Sequence, residues 1–303
     1  MKGTAVAIGT FDGVHRGHQA ILVEAARLAE EHHLESVAYA FDDPPRSLVA
    51  ETAPSLLLPP DAKRRLLASW VDRVEAASFQ AVRHLEPADF VDRILLGALA
   101  CRWVVVGTTF RFGRGRRGHP AWLTEYGAAR QVSVCVLPPT EIGGAPVSST
   151  RIRAALRAGH VEEAAELLGR PPLLFGIVES GDRIGRTLGF PTANLAVDPR
   201  IVLPAAGVYL AHAFGDVAPC HALVYVGTRP TLSGTALRCE AHLLEPPARE
   251  LYGSSLEVSL LRKIRGDRKF ADLAALRAQM TDDRDAARRL ADAFPVPASP
   301  PAG

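Results

Sequence analysis

The stretch "GTFDGVHRGH", Gly9 to His18, sets two histidines three residues apart among glycines, directly after the short apolar run "GTAVAIG" at 3–9. That run is bounded by glycine and reads as a buried parallel strand. "HQAILVEAARLAEEHH" follows, with apolar residues at helical spacing from Ile21 to Leu28. The ten residues therefore occupy a strand-to-helix junction, where backbone amides and the helix dipole favour an anion, above all phosphate. With the helix beginning there, His15 and His18 are i, i+3 neighbours, and Gly13 and Gly17 permit close backbone approach. Two imidazoles at such a place suit the stabilisation of charge building on a phosphate in transfer. A metal pair is the competing reading, but no third ligand cluster accompanies it. Two solvated histidines are the plain alternative.

Two further stretches carry polar residues in useful patterns. In "VSSTRIRAALRAG" at 147–159, Ser148, Ser149 and Thr150 lead into a helix bearing Arg151 and Arg153. Hydroxyls at a helix start and arginines just inside it can meet an anion, although a capping motif with surface arginines accounts for the same residues. In "TALRCEAHLLE", strand alternation puts Leu237, Cys239, Ala241 and Leu243 on one face and Arg238, Glu240 and His242 on the other. Glu240 sits at the centre of that polar face, which a solvated outer strand would equally present. "GDRIGRTLGFPTANL" at 181–195 holds Gly181, Gly185 and Gly189, able to form a flap over phosphates. In its "PTAN", an extended chain sends Thr192 and Asn194 to one side, where hydroxyl and amide oxygens suit Mg²⁺. "TFRFGRGRRGH" gathers Arg111, Arg114, Arg116 and Arg117 in one glycine-rich loop, read as a phosphate grip in preference to an RNA contact, with a merely solvated loop as the plain alternative.

The elements that must position these residues fall into two patterns. Strand signals at 3–9, 35–41, 102–107 and 131–137 alternate with helix signals after 18, at 60–71 and at 87–101. This predicts an α/β fold with a parallel sheet and the ligand beyond the strands' carboxyl ends. After "VEEAAELLGR" at 161–170 the pattern turns to short alternating runs with Gly and Pro between them, which predicts a small closed or sandwiched β domain. A last helix is predicted over 270–294, followed by a disordered tail at 295–303. The expected boundaries are thus 1–170, 171–294 and 295–303.

Composition narrows the classes. The 303 residues are 48% hydrophobic, and 35 basic against 33 acidic residues leave a net charge of +2. That balance gives no general attraction to nucleic acid or membrane. No apolar run approaches the roughly 20 residues of a membrane span, and the first residues lack a signal-peptide core. Cys101, Cys135, Cys220 and Cys239 are too dispersed for a zinc site or a disulfide framework. A soluble cytoplasmic protein with reduced thiols is expected.

Taken together, the "GTFDGVHRGH" and "VSSTRIR" stretches resemble the bacterial bifunctional riboflavin kinase/FAD synthetase family, whose adenylyltransferase half carries His-x-Gly-His and Ser-Ser-Thr-x-Ile-Arg signatures. The resemblance extends through "VVVGTTFRFGRGRRG" and, in the second half, through "GDRIGRTLGFPTANL", "GTRPT", "ELYG" and "IRGDRKF". It implies a Rossmann-like nucleotidyltransferase domain followed by a small β-barrel riboflavin kinase domain with a terminal helix. It further implies that Gly9, Phe11, Gly13, His15, Gly17 and His18 meet ATP, with Ser148, Ser149, Thr150 and Arg153 closing on the same nucleotide. For the second half it implies Gly181, Gly185, Thr192 and Asn194 at Mg²⁺–nucleotide and Glu240 as the base. The implied small-molecule substrates are riboflavin, FMN and ATP.

Three positions depart from the family pattern. Pro44 in "FDDPPR" replaces a usual histidine, Thr109 stands where Asp or Asn is usual, and Tyr225 stands where asparagine is common. The first two fall in the adenylylating half. They set the bifunctional reading against a riboflavin kinase whose first domain is impaired or takes another nucleotide or flavin. A non-catalytic flavin-sensing protein is the rival of another class, and intact Glu240, Thr192 and Asn194 argue against it.

Overall fold

A computed structural model describes residues 3–42, 55–180, 184–231, 234–245 and 249–300. Pro44 and Gly181 lie outside the described residues. The chain forms two compact units that divide between Ser149 and Thr150, residues 57–59 grouping with the second.

In the first unit, strands β1 (Thr4–Gly9), β2 (Glu35–Phe41), β3 (Arg73–Ala77), β4 (Cys101–Gly107) and β5 (Ser133–Leu137) form one sheet in the order β3-β2-β1-β4-β5. All its pairings are parallel. Helix α1 (Arg16–Glu31) buries Leu22, Ala25, Leu28 and Ala29, a stripe at helical spacing. Helix α2 (Pro60–Ala68) buries Ala62, Lys63, Leu66 and Leu67. A short turn, α3 (Phe79–Val82), and α4 (Pro87–Asp89) follow; α4 continues as a π-helix over Phe90–Ala98. Helix α5 (Pro120–Ala128) precedes β5, and a two-residue hairpin, β6 (Glu141–Ile142) and β7 (Ala145–Pro146), comes after it. Val6, Ile8, Val37, Tyr39, Val104 and Val106 alternate along the central strands and pack on Val91, Leu95 and Leu123. Strand order reverses between β1 and β4, and the crevice at such a switch point is where open parallel sheets bind ligands.

The second unit begins with α6 (Ser149–Ala158) and α7 (Val161–Leu168). Their association with the strands that follow is why the division precedes residue 170. Ala205 N donates to Leu156 O at 3.0 Å, and Lys263 N donates to a Glu162 carboxylate oxygen at 3.4 Å. Strands β8 (Leu173–Glu179), β9 (Ala193–Val197), β10 (Gly207–Gly215), β11 (Cys220–Thr231), β12 (Gly234–Leu243) and β13 (Ser255–Gly266) close a six-stranded antiparallel barrel. A single helical turn, α8 (Ile184–Thr187), lies between β8 and β9. The terminal helix α9 (Leu273–Ala291) is capped by Asp272, whose carboxylate accepts from Ala275 N. It lays Ala287, Leu290 and the following Phe294 against Val208, Leu210, Leu223 and Leu261. Strand β10 is consequently buried on both faces, barrel interior and helix side alike. The barrel settles the closed-or-sandwiched alternative in favour of closure. All four cysteines are free thiols, and no helix among the described residues is long and apolar enough to cross a membrane.

Candidate active sites

The loop after β1 is built under conformational strain. Phe11 (φ +49°) and Val14 (φ +42°) join Gly13 (φ +84°) in the left-handed region, and a β-branched residue there is a genuine outlier. Burial holds the shape. The Phe11 ring is fully enclosed and packs over Gly9, where a Cβ would stand 3.2 Å from it. Val14 N donates to Phe11 O at 3.0 Å, and Gln19 Nε2 donates to Val14 O at 2.9 Å. His15 is the N-cap of α1, with extended backbone and no side-chain cap, so its ring is directed to other work.

That ring stacks on His18, centroids 3.6 Å apart and planes at 16°. The i, i+3 neighbours expected from the sequence are in contact. Gly17 allows it, because a Cβ there would stand 3.3 Å from the His15 ring. The His18 pKa lies well below the usual imidazole value, first through burial, then through His15 and Lys63. His18 is thus a neutral ring near pH 7, and its Nδ1 has no hydrogen-bond partner among the described residues. A buried imidazole nitrogen without a partner calls for an explanation, and a helix start is where anions are commonly held. Ser149 joins the loop by donating its hydroxyl to Asp12 O at 2.9 Å. Ser148 precedes it in the same unit, while Thr150 and Arg153 lie on α6 beyond the division.

Lys63 is the residue that sequence reading missed. It is 4% exposed, and its ammonium donates to Phe41 O at 2.5 Å and to Thr10 O and Asp42 O at 3.2 Å each. The legible signal was position: Lys63 falls on the stripe of Leu66 and Leu67 within α2. In the arginine loop, Glu86 pairs with both Arg114, at 3.1 Å, and Arg117. That leaves less of the loop's charge for a phosphate than the sequence suggested. Thr109 is exposed in the turn after β4.

On the barrel, Cys239, Ala241 and Leu243 are buried while Arg238, Glu240 and His242 keep partial exposure on the other face. The alternation holds along β12. Glu240 stands opposite Asn194 on β9 and opposite Tyr225 on β11. Its carboxylate is ion-paired with Arg238, and the side chain is only 13% exposed. Thr192 and Asn194 flank inward-facing Ala193, so both lie on the face of Glu240. Gly185 is required where it stands, because a Cβ there would collide with Phe190 O and lie 3.2 Å from the Thr192 hydroxyl. His242 Nδ1 bonds Pro191 O at 2.9 Å, fastening the "PTAN" segment to β12. Tyr225 donates its hydroxyl to Asp267 at 3.2 Å; burial first, then Asp267, raises its pKa.

The donor set here is a hydroxyl, an amide and a carboxylate, all hard oxygens that suit Mg²⁺. No cluster of three His, Cys, Asp or Glu suited to a metal occurs among the described residues. A cation shared with substrate phosphates needs no such cluster, since Mg²⁺ commonly takes one or two protein ligands and completes its shell from phosphate and water.

Comparison with known proteins assigns the two halves. Residues 1–151 match the FAD synthetase family and residues 168–291 the riboflavin kinase family. The bifunctional riboflavin kinase/FMN adenylyltransferase of Pseudomonas fluorescens is 39% identical over 96% of this chain and 94% of its own. That of Escherichia coli K12 is 36% identical over 95% and 92%. A crystal structure from Streptococcus pneumoniae, described as a macrolide-efflux protein, superposes with a TM-score of 0.85 at 30% identity over 95% of each chain. With both halves matched in order and near full-length relatives above 30% identity, the chain belongs to the bifunctional riboflavin kinase/FMN adenylyltransferase family.

Proposed function

We propose that the two reactions of the family are divided between the two units, with the residues above in the following roles. In the barrel, Glu240 accepts the proton of the riboflavin ribityl 5′-hydroxyl as its oxygen attacks the γ-phosphorus of ATP, releasing ADP and leaving FMN. Arg238 pairs with Glu240 and holds its carboxylate in place. Thr192 and Asn194 would hold Mg²⁺ with the nucleotide, and Gly181 and Gly185 would lie against its phosphates. When bound, the cation supplies charge neutralisation on those phosphates.

In the first unit an FMN phosphate oxygen attacks the α-phosphorus of ATP, the bond to the β-phosphate breaks, and FAD and pyrophosphate form. The attacking phosphate is already ionised near neutral pH, so the site needs placement and charge stabilisation, not a base. Gly9, Phe11, Gly13 and Gly17 shape the loop around the nucleotide. His15 and His18 meet its phosphates, and Ser148 and Ser149 supply further donors. The observation carrying this reading is the stacked histidine pair at the helix start, beside the reversal of strand order. The adenylylating module is the parallel sheet with its helices, and the kinase module is the barrel with α9.

The test is a time course of the purified chain with riboflavin, ATP and Mg²⁺, separating the flavins by chromatography. FMN rising first and FAD after it is the expected result. FMN accumulating without FAD, with or without added pyrophosphatase, would overturn the role given to the first unit.

A further inference from the structure

Lys63 holds together parts of the first unit that come from three different elements. Thr10 follows β1, Phe41 ends β2 and Asp42 follows it, and all three carbonyls accept from one ammonium carried by α2. Asp42 N in turn donates to Ala77 O at the end of β3, at 3.2 Å, and the Asp42 carboxylate pairs with neighbouring Arg64 at 3.2 Å. The carboxyl ends of β1, β2 and β3 are therefore linked through the surroundings of a single buried cation. Thr10 begins the strained turn that contains Phe11 and Val14 and delivers His15 and His18 to the helix start.

A buried ammonium is costly unless it is fully hydrogen-bonded, and a hydrophobic residue on the same stripe of α2 would avoid that cost. Its position at the ligand end of the sheet, rather than in the middle of the core, indicates a role in what that end does. The groups that act on His18 are His15, stacked on it from the same loop, and Lys63 from α2. Strand β1 brings no titratable side chain, and Asp42 is engaged by Arg64.

We infer that Lys63 is a positioning residue for adenylyl transfer: its ammonium fastens the loop after β1 to the end of β2. The inference rests on reading that loop as the nucleotide site. Substrate is met by the loop; Lys63 acts through it.

The experiment uses the full chain, whose kinase activity serves as an internal control for protein quality, with circular dichroism and thermal melting as the check on folding. In Lys63→Met, FAD formation from FMN and ATP is expected to fall on the order of 100-fold, the scale of a placement error of about 1 Å. Riboflavin phosphorylation stays within about twofold of the native chain, and the loss appears mainly in kcat, because placement matters most in the transition state. By NMR, the His18 ring, identified by its absence in His18→Asn, titrates at higher pH in Lys63→Met than in the native chain. A lysine that served stability alone would leave kcat unchanged in whatever fraction of the variant folds. Lys63→Arg keeps the charge but presents a planar fork to three converging carbonyls. It should retain the native His18 titration while FAD formation is still reduced, and it decides the matter if Lys63→Met fails to fold. Native FAD formation in Lys63→Met, or in Lys63→Arg where Lys63→Met is unfolded, overturns the inference. Native FAD formation in His18→Asn overturns instead the reading of the loop as the nucleotide site, so the two failures are told apart.

Discussion

The two candidate sites both handle phosphate, yet they are furnished in opposite ways. The first has two stacked imidazoles, a buried ammonium and a helix start, arranged on a backbone turn that two non-glycine residues hold in a left-handed conformation. The second has a carboxylate, an amide and a hydroxyl on regular strand positions, with an arginine paired to the carboxylate. The nucleophiles account for the contrast. A phosphate monoester arrives ionised and needs its charge accommodated, whereas an alcohol arrives protonated and needs a base. The strain differs for a related reason. Barrel strands deliver alternate side chains to one face at no conformational cost, while rings can be brought against a helix start at a sheet switch point only by bending the chain sharply.

The comparison is broken most directly at Glu240. Glu240→Gln keeps the shape and removes the base, so riboflavin phosphorylation should fall about 100- to 10,000-fold, the range for a positioned acid–base group. Riboflavin binding, measured by quenching of flavin fluorescence, should persist. FAD formation from added FMN should be untouched, and its loss would join two sites that the contrast keeps separate.

At the first site the mirror experiment is His18→Asn. The amide keeps a donor near the ring position but cannot stack as imidazole does. FAD formation should drop about 100- to 1,000-fold, comparable with deletion of one preorganised donor at developing charge. Riboflavin phosphorylation in the same preparation should be unchanged. A pH profile of FAD formation without a limb near the usual carboxylate range would sharpen the claim that no carboxylate base serves this site.

How far the sequence showed these arrangements depends on the distance over which each is built. β2 was legible to the residue, 35–41, because a buried central strand is a short apolar run between breaks. That His15 and His18 are neighbours followed from their spacing, since both sit on one turn; that their rings stack did not. The π-helix over Phe90–Ala98 was legible only as a helix; the extra residue per turn leaves little trace in a nine-residue pattern. Lys63 was passed over because a lysine in "PDAKRRLL" reads as solvated, and its three acceptors are 21 to 53 residues away in sequence. The division at Ser149 was hidden because α6 and α7 continue the helical pattern of the first unit while bonding to Ala205 and Lys263 in the second. Pairing across a barrel is likewise nonlocal: nothing near Tyr225 announces Asp267.

Tyr225 offers a smaller test of the barrel site. It faces Glu240 across the strands and donates to Asp267. Tyr225→Phe removes that hydrogen bond and keeps the ring, a net change of about 1 kcal/mol. A change of about fivefold in kcat/KM for riboflavin is expected, with FAD formation from FMN unaltered. A much larger loss would place the hydroxyl in contact with substrate.

The smallest expected effect is on stability, and it sets the units side by side through their histidines. Burial, before any other cause, lowers the pKa of His18 in the first unit and of His212 and His242 in the barrel. The unfolded chain therefore binds more protons than the native one as pH falls below the unperturbed imidazole value of about 6.5, and stability drops with it. The loss begins at that pH and ends once pH has passed below each lowered native value. Above the window these groups contribute no slope. His212 and His221 both bond the Phe294 carbonyl, at 3.0 and 2.8 Å, and hold the end of α9 on the barrel. His212→Asn should accordingly lower stability at neutral pH while flattening its decline on acidification. Thermal melts at closely spaced pH values, with each activity followed as a separate probe, would read this out. A decline equally steep in the variant would assign the acid sensitivity to other groups, His18 and His242 first among them.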